Sequence, residues 1–445
     1  MATSDIPILP ASRTPAEVVE LLQSSRTFVI GFTGPFGSGC STAAYLLSQG
    51  GVAAGHPTFE TKTLSDVLRD LAGPHRELNR HELQDLGNRL REKEGTQALA
   101  VRALASILDK SPDANNMALD GIRNIGEIRW LREQLGDRFS LFAISVDSAK
   151  TRFERRRDVA QTWPDFYELD LRDQGESTEY GQQVGLCVDL ADVLIANDVE
   201  LSKEKLNDHL GSRVRDYAAL VQGRAHRWAS QDELMMNIAY GASHGSRCIK
   251  RQVGAVIARD CEPLAHGYNE NPNGLEPCID GFKTCFRDIV RRDRFEELAI
   301  GGARCPYCSK PIPSKLMPPW DCECGKSLEQ VFFPDRAMKW CTALHAEERA
   351  IINAGSRDLS ESVLYTTTFP CMLCAEKIIH ASIPRVIYVD AYPDSLARLL
   401  MLDAGLNVER YEGVRSRNFE RYFAGTRPAM EADGLRQLKG ATYLP

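Results

Sequence analysis

The hydrophobic positions fall into two regimes. In the first, short apolar blocks alternate with amphipathic stretches. Residues 28–32 (FVIGF) are apolar without a polar interruption, the mark of a strand buried on both faces. A glycine-rich turn follows, and then STAAYLLSQ, with the spacing of an amphipathic helix. Residues 117–119, 139–146 and 193–196 are further apolar blocks with helical segments between them. Strands alternating with helices predict a parallel α/β sheet. The first 24 residues read as a loose arm and a short helix. Residues 201–230 keep a helical period and are rich in arginine, a connection into a second domain.

The second regime predicts a helix at 232–244, a strand at 252–257 and a glycine- and asparagine-rich loop at 267–274. After a long irregular stretch it resumes with a helix at 345–354, a strand at 363–367, a helix at 371–381, a strand at 386–389 and a helix at 395–404. The irregular stretch, about 275–340, is dense in proline and glycine and holds six cysteines.

Composition narrows the classes. With 445 residues, 43% of them hydrophobic and 26% charged, the chain is long enough for two or three packed domains and is neither disordered nor fibrous. The expected division is an arm at 1–24, a first domain at 25–222 and a second at 223–445 carrying the cysteine-rich insert. A net charge of −7 speaks against a wholly electrostatic grip on nucleic acid, leaving a local basic patch open. No apolar run approaches the ~18 residues of a membrane span. The opening MATSDIPILPASRTP lacks the basic and apolar blocks of a secretory signal, so the expectation is a cytoplasmic protein without membrane contact. All thirteen cysteines but Cys40 and Cys187 follow residue 240. In a reducing compartment such clustering points to metal rather than disulfides.

His345-Ala346-Glu347 followed by Pro370-Cys371-Met372-Leu373-Cys374 is the H-x-E…P-C-x-x-C pattern of zinc nucleobase deaminases. A hydrolytic zinc needs three protein ligands and an open position for water. His345, Cys371 and Cys374 supply the three, the cysteines one turn apart at the start of a helix. Glu347, two residues past the histidine, sits beside the metal as the proton carrier. The alternative is that Cys371 and Cys374 are half of a structural site and His345 an unrelated helix residue.

HAEERAIINAG and PCMLCAEKIIHASI, with the upstream SHGSRCIKRQVGAVIARD and GYNENPNG, resemble the deoxycytidylate deaminases from about Asp232 to about Tyr411. Asn269-Glu270-Asn271 stands where Asn-Gly is usual. The resemblance implies a cytidine-deaminase-like mixed sheet sandwiched by helices, and self-association, commonly as hexamers. It also implies that Asn269 contacts the deoxyribose, where the residues alone leave open that it only holds a turn. Tyr392 is the better stacking candidate for the base, and Tyr388 reads as core.

Cys305-Pro-Tyr-Cys308 and Cys322-Glu-Cys324 are two thiolate pairs at zinc-ribbon spacing and predict a second, structural Zn2+. Exposed thiols, or a grouping that draws in Cys278, Cys285 or Cys341, are the alternatives. In the first domain Gly34-Pro35-Phe36-Gly37-Ser38-Gly39-Cys40-Ser41 fits the P-loop frame at every fixed position except that Cys40 replaces lysine. Backbone N–H groups there still suit a phosphate, and Ser41 is placed to reach Mg2+. Without the lysine, phosphoryl transfer loses its stabilising charge. Asp120-Gly-Ile-Arg123-Asn resembles the second-strand acidic site of nucleotide kinases. Arg80, Arg91 and the run Arg155 to Arg157 resemble their substrate and lid arginines. Residues 27–200 are thus similar to P-loop nucleotide kinases. A degenerate kinase-like half joined to a deoxycytidylate deaminase resembles bacterial antiviral deaminases. That resemblance implies conversion of dCTP and dCMP to dUTP and dUMP during phage infection, under a protein or RNA inhibitor. Rival readings are a polynucleotide cytidine deaminase, a housekeeping dCMP deaminase supplying dUMP, and a nucleotide sensor without catalysis.

Overall fold

The computed structural model describes residues 6, 8, 10–50, 57–73, 75–176, 178–198, 203–318, 320–333, 340–390, 395–424 and 442–443. They divide into two units, the first drawn from Met1–Glu233 and Arg410–Pro445, the second from Leu234–Glu409.

Unit 1 is built on strands β1 (Phe28–Thr33), β2 (Glu60–Thr63), β3 (Asn116–Asp120), β4 (Phe139–Ser145) and β5 (Val193–Ala196), with a short β6 (Ala225–His226) near its end. The sheet order is β5-β4-β1-β3-β2, and these five strands are parallel. The central β1 pairs Ile30 with Ala118 on one side and with Ser140 on the other. Its apolar run is buried as the pattern predicts, and β4 is buried along its whole length. The chain leaves β1 toward β2 on one flank and leaves β4 toward β5 on the other. At such a reversal, here between β1 and β4, α/β sheets bind ligands outside the carboxyl ends of their strands. Helices Pro15–Ser24, Arg80–Glu94 and Ile125–Leu135 each begin with a capping box, formed by Thr14 with Glu17, Asn79 with Glu82 and Asn124 with Glu127.

Unit 2 carries β7 (Gly254–Arg259), β8 (Glu262–Tyr268), β9 (Val363–Thr368), β10 (Arg385–Asp390) and β11 (Asn407–Arg410) in the order β11-β10-β9-β7-β8. β9 and β10 run parallel, whereas β7 is antiparallel to both β8 and β9, so the sheet is mixed. Helices Ala346–Ala354 and Met372–His380 pack on it around Ala350, Ala375, Ile378, Leu364 and Val386. Gly267 permits this approach, since a Cβ there would stand 2.3 Å from the Ala346 carbonyl oxygen.

The structure departs from the pattern-based expectations in four places. The first strand of unit 2 starts two residues later than predicted. The polar edge strand β2, and β8 with Pro263 near its start, lack an apolar signal. The stretch expected to be irregular contains a fifteen-residue helix, Phe286–Ile300, and its own small core of Phe295, Ile312, Leu316, Trp320, Leu328 and Phe333. The chain after β11 belongs to unit 1 rather than to the second domain. There β12 (Gly413–Val414) pairs antiparallel with β5, and β13 (Thr442–Tyr443) pairs parallel with β6. The physical reason is the edge of β5, whose free backbone groups β12 satisfies. Asn418 Nδ2 then donates to Asp192 Oδ1 at 2.7 Å, and the Tyr422 and Ser140 hydroxyls meet at 2.9 Å.

Candidate metal centre and glycine loop

Both metal-facing helices start on a candidate ligand. His345 is the N-cap of Ala346–Ala354 and Cys371 the N-cap of Met372–His380, each in extended backbone conformation. The helix ends therefore aim the two side chains at one point, and Cys374 joins them one turn along. His345 Nδ1 lies 3.2 Å from Cys374 Sγ and 3.3 Å from Cys371 Sγ, and all three ligand atoms fall within 4.8 Å of one another. The three groups share their protons. The bond from Cys374, reinforced by His345, pulls the Cys371 thiol down to about 4, while contact with Cys371 and burial push Cys374 well up. Burial would lower His345, but its bonds to Cys341 and Cys371 raise it to about 10. A nitrogen and two sulfurs that compete for protons in so small a space are the donor set a borderline-soft divalent cation displaces protons from. The residues fit zinc.

Glu347 is 4% exposed, and burial raises its carboxyl above the usual range. Oε1 stands 3.3 Å from the Thr366 hydroxyl on β9, and Oε2 3.5 Å from Cys374 Sγ. The carboxylate thus sits against the ligand cluster without belonging to it. Thr366 is missing from the sequence-based site: one threonine in a TTT strand carries no spacing signal. Cys341, ungrouped in the sequence, bonds to His345.

Asn269 is buried in the turn after β8 and its amide serves the neighbouring loop. Nδ2 donates to the Arg251 carbonyl at 2.9 Å, and Oδ1 accepts from Val253 N–H at 2.7 Å. Tyr388 is core, edge-on to Phe369 at 4.7 Å between centroids. Tyr392 lies outside the described residues.

Cys305, Cys308, Cys322 and Cys324 form a second group with ligand atoms within 4.8 Å of one another. Two turns bring them together: Ser309 N–H donates to the Cys305 carbonyl, and Gly325 N–H to that of Cys322. Cys278 and Cys285 enter neither group among the described residues.

In unit 1, Gly34 to Ser41 connect β1 to helix Cys40–Ser48, with Gly37 and Gly39 at φ of 85° and 107°. The Asn197 amide, at the end of β5, donates to the Ser38 carbonyl at 2.8 Å and fixes the loop. Ser41 and Thr63 hydroxyls both donate to Asp120 Oδ2, at 2.7 and 3.2 Å. Burial, with Asp120 adding to it, pushes the Cys40 thiol up to about 12, so it offers no charge of its own. Of the arginines compared with those of kinases, Arg91 is structural, held at 2.9 Å by buried Glu127. Arg155 donates to the Asn197 carbonyl and Arg157 pairs with Glu154 at the surface. Arg80 and Arg156 flank the loop residue Phe36.

Residues 229–390 match the family model of the cytidine and deoxycytidylate deaminase zinc-binding region. The deoxycytidylate deaminase of Schizosaccharomyces pombe is 30% identical over 224 residues, 50% of this chain and 54% of that protein. A UPF0200 protein of Halobacterium salinarum is 32% identical over 193 residues, 43% of this chain and 92% of that protein. The chain belongs to the UPF0200 proteins, and its residues 229–390 are similar to the deaminase zinc-binding region. It spans about half the length of the curated yeast deoxycytidylate deaminases it matches. Among solved structures, the dCMP deaminase of cyanophage S-TIM5 aligns at 22% identity and a TM-score of 0.25, covering 40% of this chain and 95% of that one. No helix among the described residues is long and apolar enough to cross a membrane.

Proposed function

We propose that the chain is a zinc-dependent hydrolase that deaminates deoxycytidine nucleotides, turning dCMP and/or dCTP into dUMP or dUTP and ammonia. The observation that carries this reading is the convergence of His345, Cys371 and Cys374 on one point with buried Glu347 beside them. Bound zinc supplies the Lewis acidity that makes water a nucleophile at neutral pH. His345, Cys371 and Cys374 hold it while leaving room for a fourth ligand. Glu347 accepts the proton of the attacking water, whose oxygen adds to C4 of the cytosine, and returns it to ring N3. It then carries the second proton to the amine as the C4–N bond breaks and ammonia leaves. Burial raises the proton affinity of the Glu347 carboxylate, which helps it take the proton of the water before passing it on. Asn269, from the turn it already pins, meets the deoxyribose, and Tyr392 stacks on the base.

Cys305, Cys308, Cys322 and Cys324 hold a structural zinc that staples the insert. Gly34, Gly37, Ser38, Gly39, Cys40 and Ser41 cradle phosphate, with Mg2+ near Ser41 and Asp120, in a nucleotide effector site. The assembled enzyme is a hexamer, cytoplasmic, held by an RNA or protein inhibitor, and it depletes dCTP against phage. A second reading, a housekeeping dCMP deaminase feeding dUMP to thymidylate synthesis, draws support from the deoxycytidylate deaminases among the relatives. Ammonia release from dCMP, dCTP and single-stranded DNA, measured side by side, tests the proposal. Turnover of free nucleotides alone is expected, and turnover of the polynucleotide alone would overturn it. The dCTP arm separates the defence reading from the housekeeping one.

A further inference from the structure

The chain enters the cysteine-rich insert just after Asn269 and returns from it just before His345, so two residues of the proposed site stand at the neck of the insert. Glu270 and Leu344 close that neck as an isolated antiparallel bridge. Glu270 N–H donates to the Leu344 carbonyl at 3.2 Å, and Leu344 N–H donates to that of Glu270 at 2.9 Å. Asn269 and His345 are the next opposed residues along the bridge, so this pairing sets the distance between the substrate turn and the metal ligand. On the insert side, Asn271 spans the neck with its amide. Its Oδ1 accepts from the Thr342 hydroxyl at 3.0 Å, on the returning chain, and its Nδ2 donates to the Glu276 carbonyl at 2.5 Å, on the outgoing one. Arg247 Nε, 3.2 Å from Glu270 Oε2, anchors the bridge from outside. Asn269 itself is tied to the preceding loop, where its carbonyl accepts from Ser246 Oγ at 2.6 Å beside the amide bonds to Arg251 and Val253.

Chain entropy opposes the closing of so long a loop and pulls its ends apart. Motion at this neck reaches Asn269 through a single peptide bond. We propose that Asn271 and Thr342 are positioning residues for the deaminase: their bond clips the insert shut and so fixes Asn269 where it meets the deoxyribose. They act through the Glu270–Leu344 bridge and not on the reacting atoms. The inference rests on the deamination reading and on the sugar contact proposed for Asn269. Its kinetic signature follows from which groups the neck governs. Asn269 meets a part of the nucleotide that does not react, so a loosened neck weakens ground-state and transition-state binding alike. Glu347 is set by Thr366 on β9, and His345 has a second anchor in the helix it caps, so the chemical step and the metal are spared.

Steady-state kinetics of full-length Thr342→Val, Thr342→Ser and Asn271→Ala test this, with dCMP or dCTP, whichever wild type turns over. Zinc content, melting temperature and calorimetric affinity for the deaminated product are measured on the same samples. Thr342→Val and Asn271→Ala are each expected to raise KM about tenfold and to weaken product binding by the same factor, as the loss of one hydrogen bond would. Their kcat should stay within about twofold of wild type, with zinc content unchanged. Thr342→Ser keeps the donor and should match wild type throughout. A bond that serves stability alone would lower the melting temperature or the active fraction, and with it kcat, at unchanged KM, and that result overturns the proposal. A serine variant as impaired as the valine one assigns the effect to packing and overturns it too. So do wild-type KM and product affinity in both Thr342→Val and Asn271→Ala. Absence of turnover of dCMP and dCTP by wild type overturns the deaminase reading and this inference with it.

Discussion

In the proposed catalytic site, Glu347 and Thr366 show how much depends on positioning rather than on chemistry in the narrow sense. The carboxylate needs a fixed direction and a dry setting, and β9 provides both through one hydroxyl, which has Glu347 Oε1 at 3.3 Å and the Thr368 carbonyl at 3.0 Å within reach. Replacing that threonine with valine keeps the shape and removes the donor. Thr366→Val is expected to lower kcat for dCMP deamination roughly 10-fold to 100-fold with zinc content unchanged, since small misplacements of a reacting group cost that much. Steady-state kinetics with metal analysis on the same sample checks it. Cys371→Ala and Cys374→Ala should instead lose zinc and activity together. The convergence of His345, Cys371 and Cys374 beside Glu347 was legible in the sequence because metal chemistry imposes both residue type and spacing. Thr366 was not, because its role depends on which face of β9 meets the site helix. Asn269 was legible as a loop residue, but not its bonds to the Arg251 carbonyl and the Val253 N–H, which only the folded turn creates.

At the scale of elements, the buried strands were the easiest to read. β1, β3, β4 and β5 are apolar because parallel strands are covered on both faces. β2 was illegible for the opposite reason: ETKT is a half-exposed edge strand whose place is set by its backbone pairing to β3. Helix Phe286–Ile300 hid among charges, since much of its surface is solvated and few side chains, Phe295 chief among them, are buried. The insert around that helix has a small core, and on the proposed reading a metal held by the four cysteines staples it. Replacing Cys305 and Cys308 together is expected to lower the melting temperature by more than about 5 °C and reduce zinc from two ions per chain to one. Metal content that stays at two, or is one in wild type, would remove the structural site.

At the scale of the molecule, unit 1 is closed by a segment from the far end of the sequence. Hydrophobic pattern alone cannot announce that return, because β12 has only two residues and the apolar side chains that join the unit 1 core, Val414 and Tyr422, stand apart from each other in the sequence. The same unit depends on buried charge. Arg91 and Glu127 are 1% and 0% exposed at the side chain, and Glu127 also accepts from the backbone of Arg123 and Asn124. Glu127→Ala strands Arg91 in the core and should destabilise the unit by about 3–5 kcal/mol, measured by denaturant unfolding. Asp173 adds a pH dependence. Burial would raise it, but Arg123, Arg80 and Gln84 hold it below the usual carboxylate range. Its contribution is therefore present above the unfolded carboxylate pKa and lost as pH falls through the folded one. Melting of Asp173→Asn should accordingly respond less to acid below about pH 4 than that of wild type.

The central claim is that Glu347 moves protons beside a metal it does not hold. Purified wild type and Glu347→Gln, analysed for zinc and assayed for ammonia release from dCMP and dCTP in the same preparation, address it most directly. The account predicts equal zinc in the two proteins and a loss of turnover in the variant of at least about 100-fold. A variant with full zinc that keeps more than about a tenth of wild-type turnover on that scale would contradict it.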